Sequence, residues 1–278
     1  MKQGLYNIPM GRYLAAPELA RSGLIKFEAQ MGLRKKGKDY SPEMSTGTLC
    51  HTVVLEPEQI DQIVAMPAMN PYKKPPEKQT KFVKSGKDWV RFQEENPGKQ
   101  IISAGDYETA KRVFESIYEN PEHEEAADLL TGGNVEVSGF YEYTTPDGSV
   151  VQLKCRPDAL KPGIVINLKT TADATPAFQQ RHFYDMCYHW SLFFELEGLT
   201  AITGKPHNIY KFVCVETTPP YGVMIYELPR EYRNIAEKEI IPSLELYASM
   251  KEKNQKPHYP RGTQMLYPPN FARKTTNK

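Results

Sequence analysis

Residues 134–171 constrain this chain more than any other stretch, because their β-rich runs are interrupted only by turn residues. The runs "NVEVSGFYEYTT", "SVVQLKCRPDAL" and "IVINLKTT" are divided by "PDG" and "KPG". Proline presets φ and glycine supplies φ > 0, so each interruption is a turn with a mechanism. The reading is an antiparallel meander of three strands. One long helix follows over 173–199, with Pro176 tolerated in its first turn. Two strands, "HNIYKFVCVET" and "YGVMIYELP", and a last helix over 229–254 complete the order. Such an order predicts an α/β sandwich and not a doubly wound sheet.

The first 130 residues read as a mostly helical N-terminal elaboration. "AAPELARSGLIKFEAQ" places Leu19, Leu24, Ile25 and Phe27 roughly on one face. "STGTLCHTVVLEPEQI" follows, with Ser45 or Thr46 as N-cap and Pro57 as stop. Residues 66–100 are Pro- and Lys-rich, and 66–85 read as a mobile basic loop without a periodic apolar face. Residues 104–130 form one or two amphipathic helices carrying Tyr107, Ala110, Val113, Phe114 and Ile117 on one side. The expected organisation is a single domain over 1–278, with a core at 131–254 and a poorly ordered tail at 255–278.

Charge argues against a uniformly basic surface. The formal net charge of the 278 residues is +1, so any basic surface is local and balanced by acids elsewhere. Cys50, Cys155, Cys187 and Cys214 form no C-x-x-C pair, which argues against structural zinc and for a reducing cytoplasm. The opening "MKQGLYNIPM" lacks the apolar core of a signal peptide, and no apolar run approaches the ~20 residues that span a bilayer. The expected location is the cytoplasm.

Chemistry concentrates at the third β run. Asn167 and Lys169 are two apart on a strand and share a face, with Leu168 on the other. Asp158 ends the preceding run, and a hairpin through "KPG" returns Asn167 and Lys169 towards it. Glu136, on the first run, can face the same cleft. Carboxylates and a strand carbonyl suit a hard divalent cation. A lysine beside it can orient or deprotonate water and stabilise phosphorane-like charge. This is a complete set for phosphodiester cleavage. A surface Asp and a solvent-facing Lys would explain the same spacing without chemistry.

Pro157-Asp158 followed by Asn167-Leu168-Lys169 resembles the PD-(D/E)xK nuclease signature, and the β runs followed by a helix match that α/β, restriction-endonuclease-like core, which implies a central mixed sheet flanked by helices. "GTLCHTVVLEP", with Gly47-x-x-x-His51, resembles the block of the RecB branch. "CRPD", "LKTTAD" and the opening "GLYNIPMGRYLAAPELARSGLIKF" resemble exonuclease VIII (RecE)-like phage and prophage exonucleases. The likeness runs from about residue 4 to 250 with its blocks in family order. It implies that Asp158 bridges metal, that the Leu168 carbonyl and His51 are further ligands, and that Lys169 activates water. Asn167 falls where the family carries a second metal-binding acid, and Glu136 is a further acid at the cleft. Ser22 and Lys26 would hold a 5′ phosphate. The family's Gln-x-x-x-Tyr falls at Ser191 by position, while Gln180-x-x-x-Tyr184 matches the pattern one stretch earlier.

What the resemblance implies is a Mg²⁺-dependent exodeoxyribonuclease, with Mn²⁺ also accepted by an oxygen-rich site. It would act 5′ to 3′ on ends of linear duplex DNA, leaving 3′ overhangs for recombination in a bacterial host cell. The implied partners are a single-strand annealing recombinase and further copies of the chain in a ring. Asn167 offers a carbonyl but removes a charge, so weaker metal binding and a lower rate are expected. Natural decay and a minimal inactivating change both fit. A catalytically inactive DNA-end-binding protein on the same fold is the alternative. A sequence-specific restriction enzyme fits less well, since no added recognition domain is visible. Seven lysines or arginines between residues 73 and 91, interleaved with Tyr72, Phe82 and Trp89, offer a backbone grip, or only a solvated loop.

Overall fold

The computed structural model describes residues 1–35, 46–73 and 80–267. Ser45, the basic residues Lys74 and Lys78, and the tail beyond 267 lie outside the described residues.

Strands β8 (Ile164–Thr171) and β9 (Ile209–Glu216) form the centre of the fold. Both are apolar, β-branched or aromatic almost throughout, the pattern of strands covered on two faces. They pair in parallel, with Asn167 opposite Phe212 and Lys169 opposite Cys214. A parallel pair needs a crossover, and residues 172–208 supply it. The full sheet has the order β10-β9-β8-β7-β4, with β4 at Asn134–Val135, β7 at Ala159–Lys161 and β10 at Val223–Glu227. Only β8 and β9 are parallel within it, so it is the mixed sheet that the sequence resemblance implies.

The three β-rich runs do not make one meander. The first two are β5 (Ser138–Thr144) and β6 (Val150–Cys155), an antiparallel hairpin closed by Gly148 at φ 86°. They belong to a separate three-stranded sheet, completed by β1 (Gly4–Tyr6), which pairs with β5. The third run, β8, turns back at Pro162 and Gly163 (φ 77°) to pair with β7 in the large sheet. The turn residues therefore act as expected, but the chain changes sheet twice, after β4 and after β6.

Helices cover both faces of the large sheet. On one face α3 (Thr46–Leu55), α5 (Ala104–Tyr118) and α6 (Glu124–Leu130) pack Leu49, Val53, Val113, Ile117 and Leu130 against Ile166, Leu168 and Val213. Leu168 is wholly buried there, and truncation to Ala would cost about 2–5 kcal/mol. On the other face Phe183, Leu192, Leu196 and Leu199 meet Val165, Tyr210 and Phe212. Near the chain's start lie α1 (Met10–Ala15) and α2 (Arg21–Gln30). A second core joins α2, the small sheet and α10 (Arg230–Glu252) through Leu24, Phe27, Leu153, Trp190, Ile240 and Leu244.

Two expectations are corrected. The long helix over 173–199 is broken. Helix α7 (Pro176–Asp185) stops before Cys187, which is left-handed at φ 53°. Arg21 donates to the Cys187 carbonyl at 3.2 Å and holds the break. Then α8 (Tyr188–Leu192), a π-turn (Phe193–Glu197) and α9 (Gly198–Thr203) follow. The flanks of the basic segment are also built, not loose. A helix, α4 (Gly86–Glu95), and two short strands, β2 (Ile63–Met66) and β3 (Gln100–Ser103), pair and pack there. Phe82 is buried against Tyr72, Trp89 and Phe92, so these aromatics fill a small core and Phe82 cannot stack on a base. No helix among the described residues is long and apolar enough to cross a membrane.

Candidate metal-binding active site

The site forms where the chain crosses between sheets. Glu136 is the crossing residue between β4 and β5, left-handed at φ 53°, not a strand residue as the sequence suggests. Asp158 lies at the return crossing, between β6 and β7. The two crossings are tied by the Glu136 N–H, which donates to the Asp158 carbonyl at 3.0 Å. Strand β8 then brings its backbone against Asp158, whose Oδ2 accepts from the Leu168 N–H at 2.7 Å.

His51 approaches from α3, its Nδ1 3.8 Å from Asp158 Oδ2. Ligand atoms of His51, Glu136 and Asp158 all lie within 4.8 Å of one another, the one such cluster found among the described residues. Burial pushes the His51 imidazole below its ordinary value, and Lys169 adds to this while Asp158 and the Leu168 backbone oppose it. It is therefore neutral at neutral pH, the form that binds metal. Burial raises the Glu136 carboxyl, Asp158 adds to the rise, and an ion pair with Arg156 opposes it.

Lys169 shows how the cleft treats a cation. Its Nζ donates to the Leu168 carbonyl at 2.8 Å, to Asp158 Oδ2 at 3.2 Å and to Asn167 Oδ1 at 3.3 Å. Three convergent oxygens with an adjacent imidazole and a second carboxylate are a donor set that fits a hard divalent ion. The residues present therefore fit a metal, and Asn167 offers it a carbonyl oxygen.

Asn167 also has a partner that sequence reasoning missed. Its Nδ2 donates to Glu195 Oε2 and to Tyr210 OH, each at 2.8 Å. Tyr210 OH in turn donates to Glu195 Oε2 at 2.7 Å. Glu195 sits in the π-turn and is 7% exposed. Burial pushes its carboxyl up to about 7, Asp158 adds to the rise, and the Tyr210 and Asn167 hydrogen bonds oppose it. The π-turn is held by Tyr141, whose OH donates to the Phe194 carbonyl at 2.8 Å. Gly198 lets that ring in, since a Cβ there would stand 2.5 Å from it. The sequence signal for it is an acid, one of two with Glu197, inside the apolar run "SLFFELEGL". Arg156, within "CRPD", pairs with Glu136, a contact that the spacing of the two residues does not announce.

Other predicted residues are dispersed. Ser22 and Lys26 are exposed on α2, four apart on one side. Ser191 is only 5% exposed, so it has almost no surface to offer a duplex. Gln180 is exposed on α7, whereas its neighbour Gln179 is buried and donates to Thr171 Oγ1 at 2.9 Å.

Comparison with known proteins agrees with this architecture. A crystal structure of a presumed exonuclease from Eubacterium rectale aligns over 98% of this chain and 100% of its own, with a TM-score of 0.59 and 14% identity. LHK-Exo in complex with dAMP aligns over 61% of this chain and 85% of its own, with a TM-score of 0.27 and 19% identity. A structure of SSO0001 aligns over 49% and 70%, with a TM-score of 0.27 and 18% identity. No curated protein matches the chain. The family model described as a PDDEXK-like domain of unknown function (DUF3799) matches residues 26–266, so the chain belongs to that family and its core is of the PD-(D/E)xK type.

Proposed function

We propose that this chain is a metal-dependent nuclease that hydrolyses phosphodiester bonds at the ends of linear double-stranded DNA. The observation that carries the reading is the convergence of Asp158, the Leu168 carbonyl, Asn167 Oδ1 and Lys169 Nζ at one point of the cleft. The match to PDDEXK-like domains and the Eubacterium rectale protein's description as an exonuclease support it.

Asp158, Asn167 and the Leu168 carbonyl would hold the ion, with His51 and Glu136 completing its surroundings. Bound there, a divalent metal supplies a water of lowered pKa and neutralises charge on the scissile phosphate. Lys169 orients the attacking water and stabilises charge on the phosphoryl oxygens. Asp158 fixes Lys169 and the β8 backbone. Arg156 holds Glu136 in place from behind, through hydrogen bonds that also reach the Ile8 carbonyl and Ser138 Oγ. Mg²⁺ is the metal proposed, and Ser22 and Lys26 are proposed contacts of a 5′ phosphate.

The finer assignment rests on the sequence resemblance to exonuclease VIII (RecE)-like phage enzymes. It comprises 5′ to 3′ polarity, 3′ overhangs, a ring of copies, an annealing recombinase as partner and a bacterial cytoplasmic setting. The test is digestion of end-labelled linear and closed circular duplexes with Mg²⁺ or Mn²⁺. Loss of mononucleotides from linear DNA only, abolished in Lys169→Ala and Asp158→Asn, is the expected result. Asn167 motivates the second reading, a non-catalytic DNA-end-binding protein. Binding of linear DNA with no cleavage under either metal would establish it instead.

A further inference from the structure

Asn167 is the departure that makes the site look damaged, and its surroundings argue otherwise. Glu195 Oε2 accepts from both the Asn167 amide and the Tyr210 hydroxyl, so the Asn167 amide turns its NH₂ towards Glu195 and its oxygen towards Lys169. The donors to Glu195 are the neutral Asn167 and Tyr210 groups. Burying an acid against neutral donors beside a second acid is costly, and a decaying site has no reason to retain it. The arrangement is also specifically built. Asn167 and Glu195 are 28 residues apart in the chain, and a π-turn anchored by Tyr141 delivers the carboxylate. Such turns occur frequently at functional sites.

We propose that Glu195 and Asn167 act as one divided acid, in which Glu195 carries the negative charge and Asn167 presents the oxygen to the metal. Glu195 is a positioning residue: it orients the ligand and supplies, one hydrogen bond behind it, the charge that an amide lacks. The proposal rests on the reading of this cleft as a metal site. It also changes what Asn167→Asp does. Glu195 Oε2 lies 2.8 Å from the position 167 nitrogen, so an acid there sets two carboxylates against each other in a buried place. Restoring the family's acid therefore requires moving the charge, not adding one.

The test uses Mn²⁺ titration of the full, metal-free chain, followed by electron paramagnetic resonance, with thermal melts of the same samples. Glu195→Gln keeps acceptor capacity towards Asn167 and Tyr210, so its melting temperature stays at or above that of the wild type. Its Mn²⁺ affinity falls roughly 10–100-fold, the range for removing a group that supports a metal ligand from behind. Asn167→Asp melts below the wild type. The double variant Asn167→Asp/Glu195→Gln exchanges acid and amide and recovers both melting temperature and Mn²⁺ affinity. Unchanged affinity in Glu195→Gln overturns the divided acid, as does a double variant that binds no better than Glu195→Gln. A wild-type chain that binds no Mn²⁺, or binds it no better than Asp158→Asn, overturns the metal-site reading itself.

Discussion

Two carboxylates tie the segment from α8 through the π-turn to its surroundings, and they sit in opposite electrostatic states. Glu239, on α10, accepts from Trp190 Nε1 and Tyr184 OH at 2.7 Å and meets His189 Nε2 at 2.8 Å. Burial works to raise its carboxyl, but those hydrogen bonds outweigh it and hold Glu239 below its ordinary value. Glu195 has comparable hydrogen bonds, yet its carboxyl is pushed up to about 7 by burial and by Asp158. The difference is water and a neighbouring acid. The Glu239 side chain keeps 29% of its surface, whereas Glu195 is closed off beside the cleft. Glu239 is a structural staple. Glu195 is held in a state that costs stability, the condition expected of a group retained for a site.

The largest expected effect tests the site end of that contrast. Lys169→Ala should lower cleavage of end-labelled duplex by about 10²–10³-fold, the range for removing a group that stabilises developing charge. Glu239→Gln should leave the rate unchanged, and a comparable loss there would erase the distinction. Next come the truncations. Glu195→Ala strands the Asn167 amide and the Tyr210 hydroxyl in the interior, at about 1–3 kcal/mol for each unsatisfied group, read from urea unfolding. Glu239→Ala should cost less, about 1 kcal/mol, because the carboxylate it removes is 29% exposed and water can follow into its place beside the buried Trp190 and His189. Equal losses would mean that burial does not separate the two knots.

Acid unfolding sharpens the comparison further. Glu239 is depressed below its ordinary 4.5, so the native chain releases that proton more readily than the unfolded chain. Its contribution is fully present above about 4.5 and is lost as pH falls through the lower native value. The slope of stability against pH below 4.5 should therefore flatten in Glu239→Gln, measured by urea unfolding across that window. The smallest effect concerns the basic segment. Lys81, Lys84 and Lys87 are exposed. If they grip phosphates, each Lys→Ala should reduce the slope of log affinity against log salt by about one. An unchanged slope would leave that segment as a packed appendage around Phe82.

Much of the fold could be read locally. Gly148 and Gly163 adopt the positive φ that their turn motifs demand, and α5 and α10 follow their apolar periodicity. Asp158, Lys169, His51 and Glu136 do come together, although Glu136 arrives from a sheet crossing and not from a strand. The single meander failed because turn residues specify that a chain reverses, not which sheet receives it. Pairing of β1 with β5 joins residues far apart in sequence, and no local pattern announces it. The unbroken helix failed because apolar periodicity continues through Cys187 while the backbone does not, held by Arg21 from another helix.

By itself the sequence determined the element types, the turns and the identity of the chemical groups on β8, since these depend on neighbours a few residues apart. Only the tertiary structure decided what Asn167 means. Its amide is oriented by Glu195 and Tyr210, 28 and 43 residues further along the chain, and both reach it only after the crossover has folded onto the sheet. A side chain's charge environment is the sum of everything packed around it, and for Asn167 most of that sum is long-range.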